Sequence, residues 1–264
     1  MKHSDKVINS RFNKLFEKSL KKSRKCYYPN CNEQAINSHI LQKNGILSGI
    51  SENGHIYVLK TDFLNTGLFH FKKSGINVTY TFKGFCKYHD KEVFKEIEDY
   101  EIDFDNYLNQ LLFAYRTILN EKRKKEVLLD WYNYQKNDEV LKYYLIQDYI
   151  EKSIYGNKQA INDLVYYEKA ILSDLNSNNE SFIFKVRYVK QTDICLASHF
   201  TFETTRQMQE TIIKTGKDIK ILTDIFISFF PLENESVLIV GFLKENENTC
   251  KEFVNNLFEI ITVR

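Results

Sequence analysis

Three cysteines and one histidine occur in the chain as two closely spaced pairs, and this spacing limits the possible folds more than any other feature. Cys26 and Cys31 flank the turn-forming dipeptide Pro29-Asn30, which brings two thiolates toward one point. Cys86 and His89 have two residues between them, a separation that a single turn also closes. Three sulfur atoms and one nitrogen atom form a tetrahedral ligand set that suits zinc. We therefore predict a structural Zn2+ ion bound by Cys26, Cys31, Cys86 and His89.

The number and placement of the cysteines favour metal binding over disulfide bonding. The chain has five cysteines, and its first residues, MKHSDKVINS, lack the apolar core of an export signal. An odd number of cysteines in a chain that is not exported argues against a disulfide framework. Cys195 and Cys250 stand alone in apolar surroundings, so we predict that they are core residues. The alternative for Cys26, Cys31 and Cys86 is that they are unrelated thiols beside a surface histidine. That interpretation explains the paired spacing less well.

Basic residues are concentrated at the start of the chain. Nine lysines and arginines lie between Met1 and Lys25, although the net charge of the whole chain is only +2. Apolar residues at helical spacing predict a first helix over Val7 to Lys22, with most cations on the opposite face. Such a face can neutralise nucleic-acid phosphates, and the candidate contacts are Lys21, Lys22, Arg24 and Lys25. The alternative, which is the commoner case for a charged helix, is a solvated surface.

The order of predicted elements indicates an α+β fold, because strands, helices and strands follow one another in separate blocks. Residues 1–98 carry the basic helix and a ββα zinc module, residues 99–178 are helical, and residues 179–264 form an antiparallel sheet with a packed helix. No stretch approaches about 18 consecutive apolar residues. We therefore expect a cytoplasmic protein that does not span or bind a membrane.

Several local patterns give more detailed expectations. An Asn53-Gly54 turn precedes the first predicted strand, and alternation over Ile76 to Phe82 predicts a strand that leads into the second cysteine–histidine pair. In the helical region we predict that Asp103 is an N-cap, that the basic run Lys122–Lys125 interrupts the helix, and that a last helix covers Lys158 to Leu175.

The segment from Arg24 to Glu98 resembles the treble-clef zinc module of the HNH nuclease superfamily. The resemblance rests on the motifs CYYPNC, INSHI and GFCKYHDKEVF. It implies a first knuckle, a hairpin that carries a catalytic histidine, and a second knuckle that opens a helix. It also implies that His39 is the general base that activates water, and that Asp90 stands where the family usually has a histidine that holds the catalytic cation, Mg2+ or Mn2+.

Three features depart from that family's pattern. Ser38 stands where an aspartate commonly precedes the catalytic histidine, so a second ligand of the cation is missing. Asp90 offers oxygen in place of imidazole, which suits a hard cation. The middle asparagine has several candidates, Asn44, Asn53, Asn65 and Asn77. The bland alternatives are that His39 is a zinc ligand or bonds the knuckle backbone, and that Asp90 is a helix N-cap.

Three functional hypotheses follow. The first is a metal-dependent endonuclease that acts on nucleic-acid phosphodiesters; an HNH-like head on an otherwise unassigned body resembles bacterial defence effectors. The second is a non-catalytic zinc-stabilised module that binds nucleic acid or protein, with the C-terminal domain holding a protein partner or a second copy of the chain. The third is an enzyme site in the C-terminal sheet, where His199 and Glu203 share one face of a predicted strand.

Overall fold

The computed structural model describes residues 5–61, 69–98, 101–177, 179–201 and 221–262, and it confirms the α+β prediction. The N-terminal part begins with helix α1 (Asp5–Lys21) and ends with a short helix α2 (Lys87–Val93). Between them lie four strands: β1 (Asn37–His39), β2 (His55–Thr61), β3 (Phe69–Gly75) and β4 (Thr81–Lys83). Two long helices follow, α3 and α4, at Tyr107–Lys136 and Gln147–Asn176. The C-terminal part contains strands β5 to β8 and helix α5, at Phe182–Lys190, Leu196–Thr201, Asp224–Pro231, Glu235–Leu243 and Glu247–Thr262.

The N-terminal strands form two separate antiparallel pairs, β1 with β4 and β2 with β3. The Asn53-Gly54 turn that opens the second pair is confirmed, since both residues have positive φ angles of 52° and 71°. The predicted strand over Ile76 to Phe82 is wrong in its first part, because only Thr81–Lys83 is a strand. The amides of Val78 and Thr79 instead bond the carbonyl of Gly75 in a turn, which removes them from any ladder.

Helix α3 passes through the middle of the molecule and packs against α4 as a helical hairpin. All residues from 110 to 120 are buried, so this half of the helix has no solvent face. The predicted N-cap of this helix, Asp103, was wrong. The N-cap is Asn106, whose side chain accepts from the amides of Leu108 and Asn109, whereas Asp103 accepts from Asp105.

The basic run does not interrupt α3, because Lys122–Lys125 lies inside the continuous helix Tyr107–Lys136. Neighbouring carboxylates offset its charge: Lys122 pairs with Glu168 of α4, and both Lys124 and Lys125 pair with Glu121. Helix α4 begins at Gln147, earlier than the predicted Lys158. Lys122 is therefore part of the contact between α3 and α4, whereas Lys124 and Lys125 form ion pairs within α3 itself.

The C-terminal sheet has the strand order β5-β8-β7-β6, and all of its pairs are antiparallel. Helix α5 packs on one face through the apolar side chains of Cys250, Val254 and Phe258. A larger hydrophobic cluster joins the other face of the sheet to α3, α4 and the N-terminal segment, and it includes Phe85, Tyr115, Tyr167 and Phe226. The core is thus continuous between the cysteine–histidine segment and the C-terminal sheet.

Candidate metal centre and adjoining cavity

Two short backbone segments bring the Cys26–Cys31 pair and the Cys86–His89 pair together. The first pair lies in the loop between α1 and β1, which is closed by a bridge between Lys25 and Gln34. The second pair begins at Cys86, the N-cap residue of α2, and His89 lies in the first turn of that helix. A backbone hydrogen bond of 2.9 Å from Tyr27 to the carbonyl of Gly84 joins the two segments.

The four side chains converge as the spacing predicted. Their ligand atoms all lie within 4.8 Å of one another. The Sγ atoms of Cys31 and Cys86 are 4.0 Å apart, and Nδ1 of His89 lies 3.2 Å from Sγ of Cys86 and 3.6 Å from Sγ of Cys26. A tetrahedral zinc ion with usual bond lengths separates its sulfur and nitrogen ligands by about 3.5–3.8 Å. The Cys3His group is therefore consistent with a structural Zn2+ ion.

The thiols of this group differ in their protonation energetics. Burial raises the pKa of Cys26 to about 11, and hydrogen bonds from neighbouring amides offset only part of that effect. Burial also acts on Cys86, but hydrogen bonds from the His89 amide and the Cys26 and Cys31 thiols outweigh it and lower the pKa of Cys86. The N-terminal end of α2 thus stabilises a thiolate, which is the form that binds metal.

The imidazole of His89 is oriented by a ring that the sequence pattern did not identify. The Tyr28 ring stacks on it, with centroids 3.8 Å apart and planes within 10°. The amide of Tyr28 also donates to Sγ of Cys26 at 3.4 Å. One residue therefore supports a ligand from each pair. Its position inside CYYPNC is the signal that could have identified it.

His39, the candidate general base, lies at the end of β1 and outside the Cys3His group. Its Nε2 atom is 2.9 Å from the carbonyl oxygen of Ile76. Because a carbonyl only accepts, Nε2 carries the proton in the neutral ring and Nδ1 is the acceptor. His39 is thus not among the four clustered ligands, and its backbone hydrogen bond goes to Ile76, outside the two knuckles.

Asp90 is the fourth residue of α2, so it is not the N-cap that the alternative interpretation assumed. Its Oδ1 atom is buried and has no hydrogen-bond partner. Asp90 and His39 line the same cavity of about 350 Å3. The cavity is also lined by four cationic side chains, Lys43, Lys87, Lys91 and Arg116. Asn44, one of the asparagines considered for the middle position of the HNH motif, lines it as well.

The remaining residues of the HNH resemblance have simple structural surroundings. Ser38 is buried, and its hydroxyl accepts from the amide of Phe85 at 3.2 Å, which fixes β1 beside the second pair. Asn53 forms the turn before β2, and Asn77 accepts from Lys43 at 3.4 Å. Asn65 lies outside the described residues.

The four candidate nucleic-acid contacts differ in their surroundings. The Arg24 side chain is only 9% exposed, and its Nη2 atom donates to Asp130 at 2.7 Å. Lys22 is more exposed and pairs with the same carboxylate. Lys21 and Lys25 are exposed, close to Glu17 and Asn32 respectively. The charge of Arg24 is thus offset inside the protein.

The candidate site in the C-terminal sheet is a buried pair. Nε2 of His199 lies 3.5 Å from Oδ2 of Asp224, and both side chains are less than one-tenth exposed. Thr201 also donates to Asp224. Glu203, the other residue of that hypothesis, lies outside the described residues.

Comparisons with protein-family models, curated proteins and solved structures find no match to this chain. Among the described helices, none combines the length and apolar character needed to cross a membrane. The molecule is therefore defined by its own geometry: an α+β protein with a Cys3His cluster near its N-terminus.

Proposed function

We propose that the chain is a zinc-stabilised, HNH-like endonuclease that hydrolyses phosphodiester bonds of nucleic acid. The observation that carries the proposal is the shared cavity of His39 and Asp90, directly beside the Cys3His group. The chain order supports it as well: a knuckle, a β1 strand that carries His39 and pairs antiparallel with β4, and a helix opened by Cys86 follow one another, although the β2–β3 pair is inserted between β1 and β4.

The zinc ion has a folding role in this proposal. Cys26, Cys31, Cys86 and His89 join a loop and a helix that are separated by more than fifty residues of chain. Structural zinc contributes on the order of 10–16 kcal/mol of apparent binding energy in small modules. That energy holds β1 and α2 side by side, and the two candidate catalytic residues lie on these elements.

His39 is the general base of the proposed reaction. The Ile76 carbonyl keeps the proton on Nε2 and leaves the Nδ1 lone pair for a water molecule. Nδ1 takes a proton from that water while its oxygen attacks the phosphorus and the bond to the leaving oxygen breaks. A fixed tautomer avoids reorganisation of the ring during the step.

Asp90 is the proposed ligand of a hard divalent cation, Mg2+ or Mn2+. A buried carboxylate oxygen without a hydrogen bond costs free energy unless a cation or a proton satisfies it, so Oδ1 of Asp90 fits this role. Such a cation stabilises the charge on the scissile phosphate and on the leaving oxygen. Lys43, Lys87 and Lys91 make the cavity attractive to the phosphate backbone.

Cleavage assays test this function directly. The purified protein is incubated with plasmid, single-stranded DNA and RNA, with Mg2+ or Mn2+, beside His39→Ala and Asp90→Asn. We expect cutting by the wild type and a loss of at least about a hundredfold in each variant. Cutting that persists in both variants would reject the site assignment.

The competing function is a non-catalytic zinc module that binds nucleic acid or protein, and the missing cation ligand at Ser38 favours it.

Asp148→Asn is the matched control in the cleavage assay, since Asp148 is exposed at the start of α4. If neither cation supports cutting of any of the three substrates while the protein still binds them, the binding function replaces the nuclease.

A further inference from the structure

The β2–β3 ribbon presents an apolar face that nothing in the described parts of the chain covers. The strands pair from His55–Gly75 to Thr61–Phe69. Cross-strand partners share a face, so one face carries Tyr57, Leu59, Phe69, Phe71 and Lys73. The four apolar side chains are between 54% and 71% exposed. The opposite face packs on the body of the protein through Ile56 and Val58.

The charge of the ribbon is uniformly positive. The described residues 55–61 and 69–75 contain three lysines, two histidines and no carboxylate. Lys73 lies directly opposite Tyr57 on the exposed face, and Lys72 lies opposite Val58 on the other face. A polyanion complements this combination of rings and cations, whereas an apolar protein surface would leave the lysines desolvated.

The spacing of the exposed side chains fits nucleic-acid bases. Successive rungs of the ribbon, Tyr57 with Lys73, Leu59 with Phe71 and Thr61 with Phe69, are two residues apart. Two residues of an antiparallel strand span about 6.8 Å, which is twice the rise of about 3.4 Å per base in DNA. One base can therefore stack between neighbouring rungs, but only an unpaired base has its ring faces accessible.

We propose that the exposed face of the β2–β3 ribbon binds single-stranded nucleic acid, with base stacking on Tyr57, Phe69 and Phe71 and with a phosphate contact from Lys73, the lysine on that face. The inference rests on the proposed function, to which it adds the substrate class. The ribbon is joined to the candidate site, because Ile76 immediately follows β3 and its carbonyl holds the ring of His39. The Gly75 end of the ribbon is therefore joined directly to the residue whose carbonyl orients the general base.

Binding without cleavage tests the inference. A fluorescein-labelled oligothymidine and a duplex of equal length are titrated with protein in buffer that contains no Mg2+ or Mn2+, and anisotropy is followed. We expect tighter binding of the single strand. Tyr57→Ala/Phe71→Ala should weaken it about tenfold or more, since stacking on aromatic side chains dominates such sites. Lys73→Glu should weaken it and also flatten its salt dependence.

Matched controls carry the same changes elsewhere. Tyr143→Ala removes a similarly exposed ring at the α3–α4 connection, and Lys185→Glu removes an exposed cation from β5. Both should leave the affinity unchanged. Because the ribbon residues are exposed, their variants should keep the wild-type melting temperature.

Each outcome separates the inference from the nuclease function. Wild-type affinity in the ring variants, preference for the duplex, or a shift from dimer to monomer in those variants by light scattering would overturn the ribbon proposal. Ribbon-dependent binding by a protein that never cuts would keep the ribbon proposal and reject the nuclease. Cutting that depends on His39 but not on the ribbon would do the reverse.

Discussion

Arg123 of α3 donates a hydrogen bond of 2.7 Å from Nε to the backbone carbonyl of Lys83. Its Nη2 atom donates to the carbonyl of Lys25 at 3.2 Å, and its guanidinium lies 4.1 Å from the centre of the Tyr27 ring. Lys25 directly precedes the first cysteine of the cluster, and Lys83 ends β4 just before the second pair. One side chain of the central helix therefore holds both halves of the candidate metal centre.

Replacing this arginine should loosen the metal centre. Arg123→Met removes the donor to two backbone carbonyls and leaves the carboxylate of Glu126 with Arg24 as its remaining ion-pair partner. We expect a loss of about 3–5 kcal/mol in the free energy of unfolding, as for other broken buried ion pairs, and faster removal of zinc by a chelator. Arg187→Met on β5 is the control and should cost less than about 1 kcal/mol. Equal effects in urea unfolding would contradict the bridging role.

The cysteines should fall into two classes. Cys26→Ser and Cys86→Ser each remove a thiolate of the cluster, so we expect loss of bound zinc and unfolding of the N-terminal segment. Cys195 is partly buried outside the cluster, and Cys195→Ser should cost about 1–2 kcal/mol without loss of metal. Metal content by mass spectrometry, on protein purified without added zinc, measures the first effect. A zinc content below the molar amount of protein in the wild type would contradict the site.

The stacked tyrosine should control metal exchange more than stability. Tyr28→Ala removes the ring that covers His89, while the four ligands remain. We expect stoichiometric zinc with a melting temperature a few degrees lower, because a stacked pair contributes about 0.5–1.5 kcal/mol. Release of zinc to a coloured chelator should be several times faster than in the wild type. Tyr28→Phe keeps the ring and should restore the slow rate.

The basic segment after α1 should separate into binding and structural residues. Lys21→Gln/Lys25→Gln should weaken binding of nucleic acid and reduce the slope of affinity against salt by about 0.7–0.9 for each phosphate that is no longer neutralised. Arg24→Gln breaks the ion pair with Asp130 and should lower the free energy of unfolding by about 1.5–3 kcal/mol. If Arg24→Gln changed the salt slope and left stability intact, Arg24 would belong with the binding residues.

One carboxylate should make stability depend on pH. Burial, together with the nearby charge of Asp224, raises the pKa of Asp163 to about 6, against about 3.9 in an unfolded chain. The folded state thus keeps a proton that the unfolded state has lost, and stability falls as the pH rises from about 4 to 6. Asp163→Asn should melt at a higher temperature than the wild type at pH 7.5, with the difference vanishing at pH 4. A constant difference at both pH values would contradict this cause.

The parts of the fold that local sequence determines were predicted well. The two cysteine–histidine pairs are close in the chain, and the Asn53-Gly54 turn depends on its own φ angles. The C-terminal strands and α5 follow from alternation and helical spacing of apolar residues. The prediction was wrong where two local structures were possible for the same residues. Turn hydrogen bonds to Gly75 formed instead of a strand before Thr81, and Asn106 instead of Asp103 is the N-cap of α3.

By itself, the sequence determined which residues could bind a metal, because the reach of each pair is set by a few covalent bonds of backbone. Only the tertiary structure decided that both pairs meet, that Asp90 shares a cavity with His39, and that Arg123 spans the two knuckles. These relationships join residues far apart in the chain, and the burial of α3 in the common core determines them. Such packing depends on the whole set of side chains, so no local pattern of residues encodes it.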